Sequence, residues 1–418
     1  MSKLEQLIEE LCPDGVEYKT LGELGYFYGG LSGKSKGDFT NGNAKLITYM
    51  NVYSNITINI EIQDLVKIGK NEKQNTVKYG DILFTGSSET PDECGMSSVL
   101  TKNINEKLYL NSFCFGFRLK DKNLLLPDFS KYLFRSEEIR EQIKRTASGV
   151  TRFNVSKKKM EQVIVPLPPL PIQREIVRIL DNFTELTAEL TAELTARRKQ
   201  YEYYSNELLL FRDAKYYALE DVCDIVDYRG KTPKKVENGI FLVTAKNIRK
   251  GYIDYEKSKE YIALEDYENV MRRGYPQKND VLITTEAPCG NVAQIDNENI
   301  ALAQRVIKYR PKSDSVNSSF LKYVLLGNEF QRKLLATATG GTVKGIKGSK
   351  LHKLTIPLPP LEEQERIVAI LDRFDALCND LTSGLPAEIE ARQKQYEYYR
   401  DKLLTFPACP AGGKEVTA

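Results

Sequence analysis

One stretch of this chain occurs twice, and that restricts the fold to an internally duplicated one. The first copy runs from Pro166-Leu167-Pro168-Pro169-Leu170 to Lys199-Gln200-Tyr201-Glu202-Tyr203-Tyr204. The second runs from Pro357-Leu358-Pro359-Pro360-Leu361 to Lys394-Gln395-Tyr396-Glu397-Tyr398-Tyr399. The proline segments lie 191 residues apart and the tyrosine segments 195, so the second copy carries four extra residues. Four residues are about one helical turn. A repeat of this period describes whole structural units, so every local motif has to be placed within it.

Each copy reads as a long amphipathic helix. In the first, Ile176, Leu180, Phe183, Leu186, Leu190, Leu194, Tyr201, Tyr204 and Leu208 recur at helical spacing. Ile367, Leu371, Phe374, Leu377, Leu381, Leu385, Ile389, Tyr396, Tyr399 and Leu403 do so in the second. The stripe has the width of a coiled-coil seam. Proline cannot extend a helix backwards, so the helices are expected to begin near Ile172 and Glu362 and to run for roughly forty residues. Thr187-Ala188-Glu189-Leu190-Thr191-Ala192-Glu193-Leu194 is a tandem repeat inside the first. Ser383-Gly384-Leu385-Pro386 stands at the matching place in the second and should break it. Two such helices suit packing on each other as a spacer better than burial as two core helices of one globule.

Charge sharpens this division. Residues 20–165 hold 21 Lys/Arg against 16 Asp/Glu, and residues 219–356 hold 23 against 17. The remainder, mainly the repeated helices, holds 16 against 24. Two basic regions are thus separated by acidic rods, which suggests polyanion contact through the former and protein contact through the latter. No apolar run reaches the ~18 residues of a membrane-spanning helix, and no secretory h-region is visible. The seven scattered cysteines contain no CxxC pair, which indicates neither a disulfide framework nor a zinc site and fits a cytoplasmic protein.

Within the basic regions the same plan recurs. Leu46–Met50, Asp81–Thr85 and Phe113–Leu119 read as strands and Asp128–Lys144 as a helix. Ile240–Thr244, Asp280–Thr284 and Val306–Tyr309 read as strands and Ser318–Leu335 as a helix. Gly80-Asp81 corresponds to Asn279-Asp280, and Ser148-Gly149-Val150-Thr151 to Thr339-Gly340-Gly341-Thr342. Between these anchors the regions differ almost everywhere, as two related modules with different targets would. Phe211-Arg212-Asp213-Ala214 after the first rod resembles Phe406-Pro407-Ala408-Cys409 after the second, which predicts a cyclic arrangement with neighbouring termini.

Catalytic signatures are missing. Gly29-Gly30-Leu31-Ser32-Gly33-Lys34-Ser35 fails the phosphate-loop pattern because Tyr28 occupies the first glycine position. Both Pro-Pro pairs are Leu-Pro-Pro-Leu, unlike the [ND]-P-P-[YF] pocket of adenine methylation, and His352 is the one histidine. Cations in Gly/Ser/Thr loops, by contrast, suit phosphate contact and base reading. The candidates in the first region are Lys34, Lys36, Lys144, Arg145, Arg152 and Lys157, with Ser87 and Glu89 in a loop beside a strand. In the second they are Arg229, Lys231, Lys234, Lys246, Arg249, Arg272, Arg273, Arg305, Lys344 and Lys347, with Glu286 in the matching loop.

Over its whole length the chain resembles the specificity subunit of type I restriction–modification systems. The resemblance rests on the two helix starts, Gln173 to Asp181 and Gln364 to Asp372, on the Lys-Gln-Tyr-Glu-Tyr-Tyr segments, and on the Thr-Ala-Glu-Leu tandem. It implies an α+β fold: two mixed α/β target-recognition domains joined by two long antiparallel coiled-coil-like helices in a pseudo-twofold cyclic arrangement. The corresponding segments are a first recognition domain at 1–165 and a central spacer helix at 166–211. A second recognition domain spans 212–356, a second spacer helix 357–406, and a tail 407–418. The chain would be non-enzymatic and would bind double-stranded bipartite DNA. Methyltransferase subunits would dock through Gln173, Ile176, Tyr201, Tyr204, Gln364, Ile367, Tyr396 and Tyr399, and restriction/translocase subunits would join them. S-adenosylmethionine, ATP and Mg would belong to those partners. The alternative is a scaffold that organises partner subunits with little DNA affinity of its own.

Overall fold

The computed structural model describes residues 2–228, 233–341, 343–380 and 382–409. They form two compact units, one of residues 2–189 with 389–409 and the other of residues 190–388.

In the first unit a four-stranded antiparallel sheet is ordered Gly25–Gly29, Cys114–Leu119, Ile82–Thr85, Ser97–Val99. Ile82–Thr85 is an unbroken buried run, because the sheet is covered on both faces. The period-two geometry of a strand sorts its side chains. Ile82, Phe84, Phe115 and Phe117 pack against Phe129, Leu133, Ile139 and Ile143 of the helices Pro127–Leu133 and Glu137–Arg145. Leu83, Cys114 and Tyr28 face the opposite way, onto Ile47, Leu108 and Leu110 of a second sheet, ordered Leu65–Val66, Ala44–Ile47, Leu108–Leu110.

The second unit repeats this arrangement. Its four-stranded sheet is ordered Cys223–Asp227, Val306–Pro311, Val281–Thr285, Cys289–Gln294. Val281, Ile283, Ile307 and Tyr309 meet Phe320, Leu321, Phe330 and Leu334, while Leu282 and Val306 meet Ile240, Leu242, Ile300 and Leu302 on the other face. The pairing of strands Ala44–Ile47 with Leu108–Leu110 and of Ile240–Val243 with Ile300–Leu302 is parallel in both.

Three sequence expectations change at element ends. The strand expected over Leu46–Met50 ends at Ile47, because Thr48 caps a short helix, Tyr49–Ser54, by accepting a hydrogen bond from Asn51 N. The helix expected over Asp128–Lys144 is two helices separated at Phe134-Arg135-Ser136, where the Ser136 hydroxyl donates to Leu133 O. The helix expected over Ser318–Leu335 is likewise divided, at Gly327, into Ser318–Leu326 and Asn328–Thr337.

The repeated helices follow their sequence closely. The central helix covers Leu170–Leu208 as one 39-residue element. The second copy is interrupted: Leu361–Asn379 ends where the Asp380 carboxylate accepts hydrogen bonds from Thr382 and Ser383, and Leu385–Leu404 begins beyond Gly384. Leu381 lies outside the described residues. In the first unit Ile172, Ile176 and Leu180 enter the core, and Phe183 stacks on Tyr399 at 5.4 Å. In the second unit Ile367 and Leu371 enter the core, and Phe374 stacks on Tyr201 at 6.0 Å and on Tyr204 at 5.9 Å.

The predicted meeting of the chain ends lies within the first unit. Val16 N donates to Pro407 O at 2.9 Å and Cys409 N to Val16 O at 3.0 Å. The Tyr18 hydroxyl donates to Phe406 O at 2.7 Å, as Tyr216 does to Phe211 O at 3.2 Å in the second unit. The same closure is made non-covalently in one unit and by the continuous chain in the other.

Candidate nucleic-acid interface

At one end of the first unit's central sheet, the strand Ile82–Thr85 runs on through Gly86 into Ser87-Ser88. A short hairpin pairs there, Phe153 opposite Ser88 and Asn154 opposite Ser87. Its turn depends on Gly149 at φ +149°, where a Cβ would sit 2.0 Å from Arg152 O, a conformation that glycine alone adopts without strain. The turn leaves Val150 92% exposed. Arg152 donates to the Ser87 hydroxyl from Nε at 3.1 Å and from Nη2 at 2.8 Å. Its guanidinium lies 5.3 Å from the ring centre of Phe113, itself 55% exposed. Lys157 is exposed nearby, 5.6 Å from the Phe115 ring. Tyr49 donates to Ser87 O at 2.9 Å, and burial raises its hydroxyl pKa. The Glu93 carboxylate accepts from Tyr53 at 2.8 Å and from Ser88 at 3.1 Å. The Tyr53 bond, first among these contacts, holds the Glu93 carboxyl below its ordinary range. Glu89 is exposed on the same loop.

The second unit builds the same end with other side chains. Thr285 N donates to Arg305 O at 2.9 Å and Ile346 N to Thr285 O at 2.9 Å, matching Gly86 N to Phe113 O at 2.7 Å and Val155 N to Gly86 O at 2.9 Å. Glu286 bridges Gly345 as Ser87 pairs with Asn154. Gly340, at φ +121°, makes the turn that Gly149 makes in the first unit. Arg305 lies 3.2 Å from Glu286, both half-exposed, and its φ of 69° is unusual for a residue with a Cβ. Lys344 and Lys347 are exposed around this turn, with Val343 between Gly341 and Lys344. The Cys289 thiol beside it is pushed up by burial.

The other sequence candidates are distributed elsewhere. Lys34, a candidate for DNA contact, is bound within its own unit. Its Nζ lies 2.6 Å from Glu72 and donates to Lys67 O at 2.5 Å, leaving its side chain 8% exposed. That pairing brings the Glu72 carboxyl down to about 2. Ser87 is buried and acts as the acceptor that orients Arg152. Lys144 pairs with Glu141 and Asp92, Arg249 with Asp254, and Arg273 donates to Asp227 O. Lys36, Arg145, Lys234, Lys246 and Arg272 are exposed, Arg145 at the helix end that leads through Thr146 into the hairpin strand Ala147–Ser148. Arg229, Lys231 and Thr342 lie outside the described residues. Phe113 was missed because it reads as the start of the strand, which begins at Cys114, and Val150 and Val343 because an apolar residue in a Gly-rich loop reads as packing until its exposure is seen.

The helix starts hold a second constellation. Gln173 is fully buried; its Nε2 donates to Leu124 O and Pro168 O, and its Oε1 accepts from Leu126 N, all at 2.8 Å. Gln364 repeats this with Ser315 O, Pro359 O and Asn317 N at 2.9, 2.9 and 2.8 Å. Ile176 and Ile367 are also fully buried. These four of the eight residues expected to meet partner subunits spend their contacts inside their own units. Tyr396 packs on Tyr132 at 6.3 Å, whereas Tyr204 and Tyr399 keep exposed edges.

Two units of one plan, each presenting a different set of side chains on the same hairpin-flanked strand end, define a duplicated recognition protein. Among the described residues no group of His, Cys, Asp and Glu could hold a metal ion, and no helix is long and apolar enough to cross a membrane. The family described as type I restriction modification DNA specificity domain matches twice, over residues 13–197 and 212–391. The chain belongs to this family, and as a specificity subunit it is the non-catalytic, DNA-recognising component of such systems. It is 36% identical over 267 residues to the Type I restriction enzyme EcoR124I/EcoR124II specificity subunit of Escherichia coli, an alignment covering 60% of this chain and 65% of that one. A solved chain of a type I R-M system superimposes with a TM-score of 0.63 at 20% identity, covering 93% of this chain and 97% of that chain. The S subunit from M. genitalium does so with a TM-score of 0.51 at 15% identity, covering 93% and 96%.

Proposed function

We propose that each unit reads one half of a bipartite DNA site for a type I restriction–modification enzyme. In this reading the repeated helices set the gap between half-sites and dock methyltransferase subunits, with restriction subunits joining them. S-adenosylmethionine, ATP and Mg are then used by those partners. The supporting observation is the strand-end patch built twice on one backbone plan with different side chains. A scaffold would have no use for that difference, whereas two half-sites of different sequence require it. The test is a genome-wide map of methylated adenines in the host with and without this gene. Loss of one split motif is the expected result, and an unchanged map in a host that expresses the system argues against the reading.

The gap-setting role makes its own prediction. One further Thr-Ala-Glu-Leu unit after Leu194 lengthens the central helix by ~6 Å, on the scale of one to two base pairs at ~3.4 Å each. The spacer of the recognised motif is expected to grow by that amount with both half-sites intact. An altered half-site sequence in the same methylation map would sink the idea.

A further inference from the structure

We infer that three topologically equivalent positions in each unit determine the bases read, with the arginine supplied from a different position in each. This rests on the DNA-reading role proposed above. The positions follow from the backbone bonds. Gly86 and Thr285 are equivalent, so the residues after them, Ser87 and Glu286, occupy the first position. The residues whose carbonyls accept from Gly86 and Thr285, Phe113 and Arg305, occupy the second. Counting back from Val155 and Ile346, which bond to Gly86 O and Thr285 O, places Arg152 and Val343 at the third.

The first unit therefore carries a hydroxyl, an aromatic ring and a guanidinium; the second carries a carboxylate, a guanidinium and an isopropyl group. In both, the residue at the first position holds the arginine: Ser87 at 2.8 Å from Arg152 Nη2, Glu286 at 3.2 Å from Arg305 Nε. Arg152 is engaged along its Nε/Nη2 edge and flanked by Phe113. The Nη1/Nη2 end of the fork stays available for the O6 and N7 acceptors of a guanine, the pairing that arginine geometry suits best in the major groove. Arg305 and Glu286 instead place a donor and an acceptor side by side. That combination fits a C·G pair, the carboxylate accepting from cytosine N4 and the guanidinium donating to guanine. The left-handed φ of Arg305 aims this side chain at an energetic cost, as residues at functional sites often do. Cations outside these positions, such as Lys36 and Arg272, then contribute phosphate contacts without sequence information.

Selection of bound duplexes from a randomised library, with the full chain assembled with its methyltransferase subunits, tests this. Arg152→Ala should abolish the preference for guanine at one position of one half-site, a loss on the order of 10- to 100-fold in discrimination, leaving the other half-site unchanged. Glu286→Gln should relax a C·G position in the opposite half-site only. A uniform fall in binding with both motifs intact would overturn the inference by assigning these residues to the backbone. If Arg152→Ala binds nothing, Arg152→Gln decides: restored binding with the guanine preference lost or moved towards adenine supports the assignment, and restored binding with the full motif refutes it. Failure of the unmutated complex to enrich any split motif would instead remove the proposed function itself, and this inference with it.

Discussion

Replacing Asp81 with alanine is expected to destabilise the first unit by about 3–5 kcal/mol, the cost of removing one partner from a buried ion pair. Asp81 is 1% exposed, at the start of the central strand. Its carboxylate accepts from Arg118 Nε at 2.8 Å and Nη2 at 2.6 Å, from the Tyr28 hydroxyl at 2.6 Å and from Lys78 N at 2.8 Å. Alanine removes the acceptor these donors share, leaving Arg118 Nη2 only its bond to Thr76 O. The carboxylate raises the Arg118 pKa, and burial raises that of Tyr28 with Asp81 adding to it. Arg118 therefore stays a cation and Tyr28 a neutral hydroxyl near neutrality. For a unit of this size the loss should lower the thermal midpoint by on the order of 10 °C. Tyr28→Phe removes one hydrogen bond to a charged group and should cost less, about 1.5–3 kcal/mol. The ratio between the two variants is the informative quantity, measured by calorimetry of the whole chain. A cost below about 1 kcal/mol for Asp81→Ala would mean that water reaches the pair as it reaches a surface ion pair. Because Asp280 repeats the cluster with Arg310 at 2.6 Å and Gln277 N at 2.8 Å, Asp280→Ala should produce a similar loss in the second unit.

That cluster also marks how far the fold was legible from sequence. Gly80-Asp81-Ile82-Leu83-Phe84-Thr85 and Asn279-Asp280-Val281-Leu282-Ile283-Thr284 announced paired strands because a continuous apolar run fits a strand covered on both faces. The long helices were legible because their stripe persists for ten turns and proline marks where they begin. Helix interruptions were less so. Gly384-Leu385-Pro386 declares itself, but the break at Phe134-Arg135-Ser136 contains no strong breaker. It arises because the Arg135 guanidinium reaches across to Ser97 O and Tyr53 O, a tertiary contact that no local pattern encodes.

The candidate site was legible in part for an analogous reason. Loop cations can be listed from sequence, but which of them are spent on carboxylates depends on residues far along the chain. Glu72 claims Lys34 across 38 positions and Ser87 orients Arg152 across 65. The equivalence of Phe113 with Arg305 is visible only in backbone hydrogen bonds, because the two residues share no chemistry; that of Arg152 with Val343 follows from the 191-residue offset of the turns before them. A repeat search finds what two units have in common, and the proposed reading positions lie where they differ.

The glutamines at the helix starts give the second large effect, and one that separates two roles. The family resemblance made Gln173 and Gln364 candidates for subunit docking, each sitting in a repeated helix start. The hydrogen bonds give them a job within their own units. Gln173 ties the first turn of the central helix to the segment before Pro127–Leu133 by satisfying Leu126 N, Leu124 O and Pro168 O together. Gln173→Leu keeps the volume and leaves one amide N–H and two carbonyls unpaired. At about 1–3 kcal/mol for each buried group left so, a loss of about 3–5 kcal/mol is expected after partial relaxation. Gln364→Leu should lose a similar amount through Asn317 N, Ser315 O and Pro359 O. The pairs share no partner, so the double variant should be additive to within about 0.5 kcal/mol. Denaturant unfolding of the chain without other subunits measures this. A docking role predicts unchanged stability of the isolated chain and impaired assembly with methyltransferase subunits. A clamp predicts the reverse order of cause: stability falls first, and assembly is impaired only under conditions where the unit has begun to open.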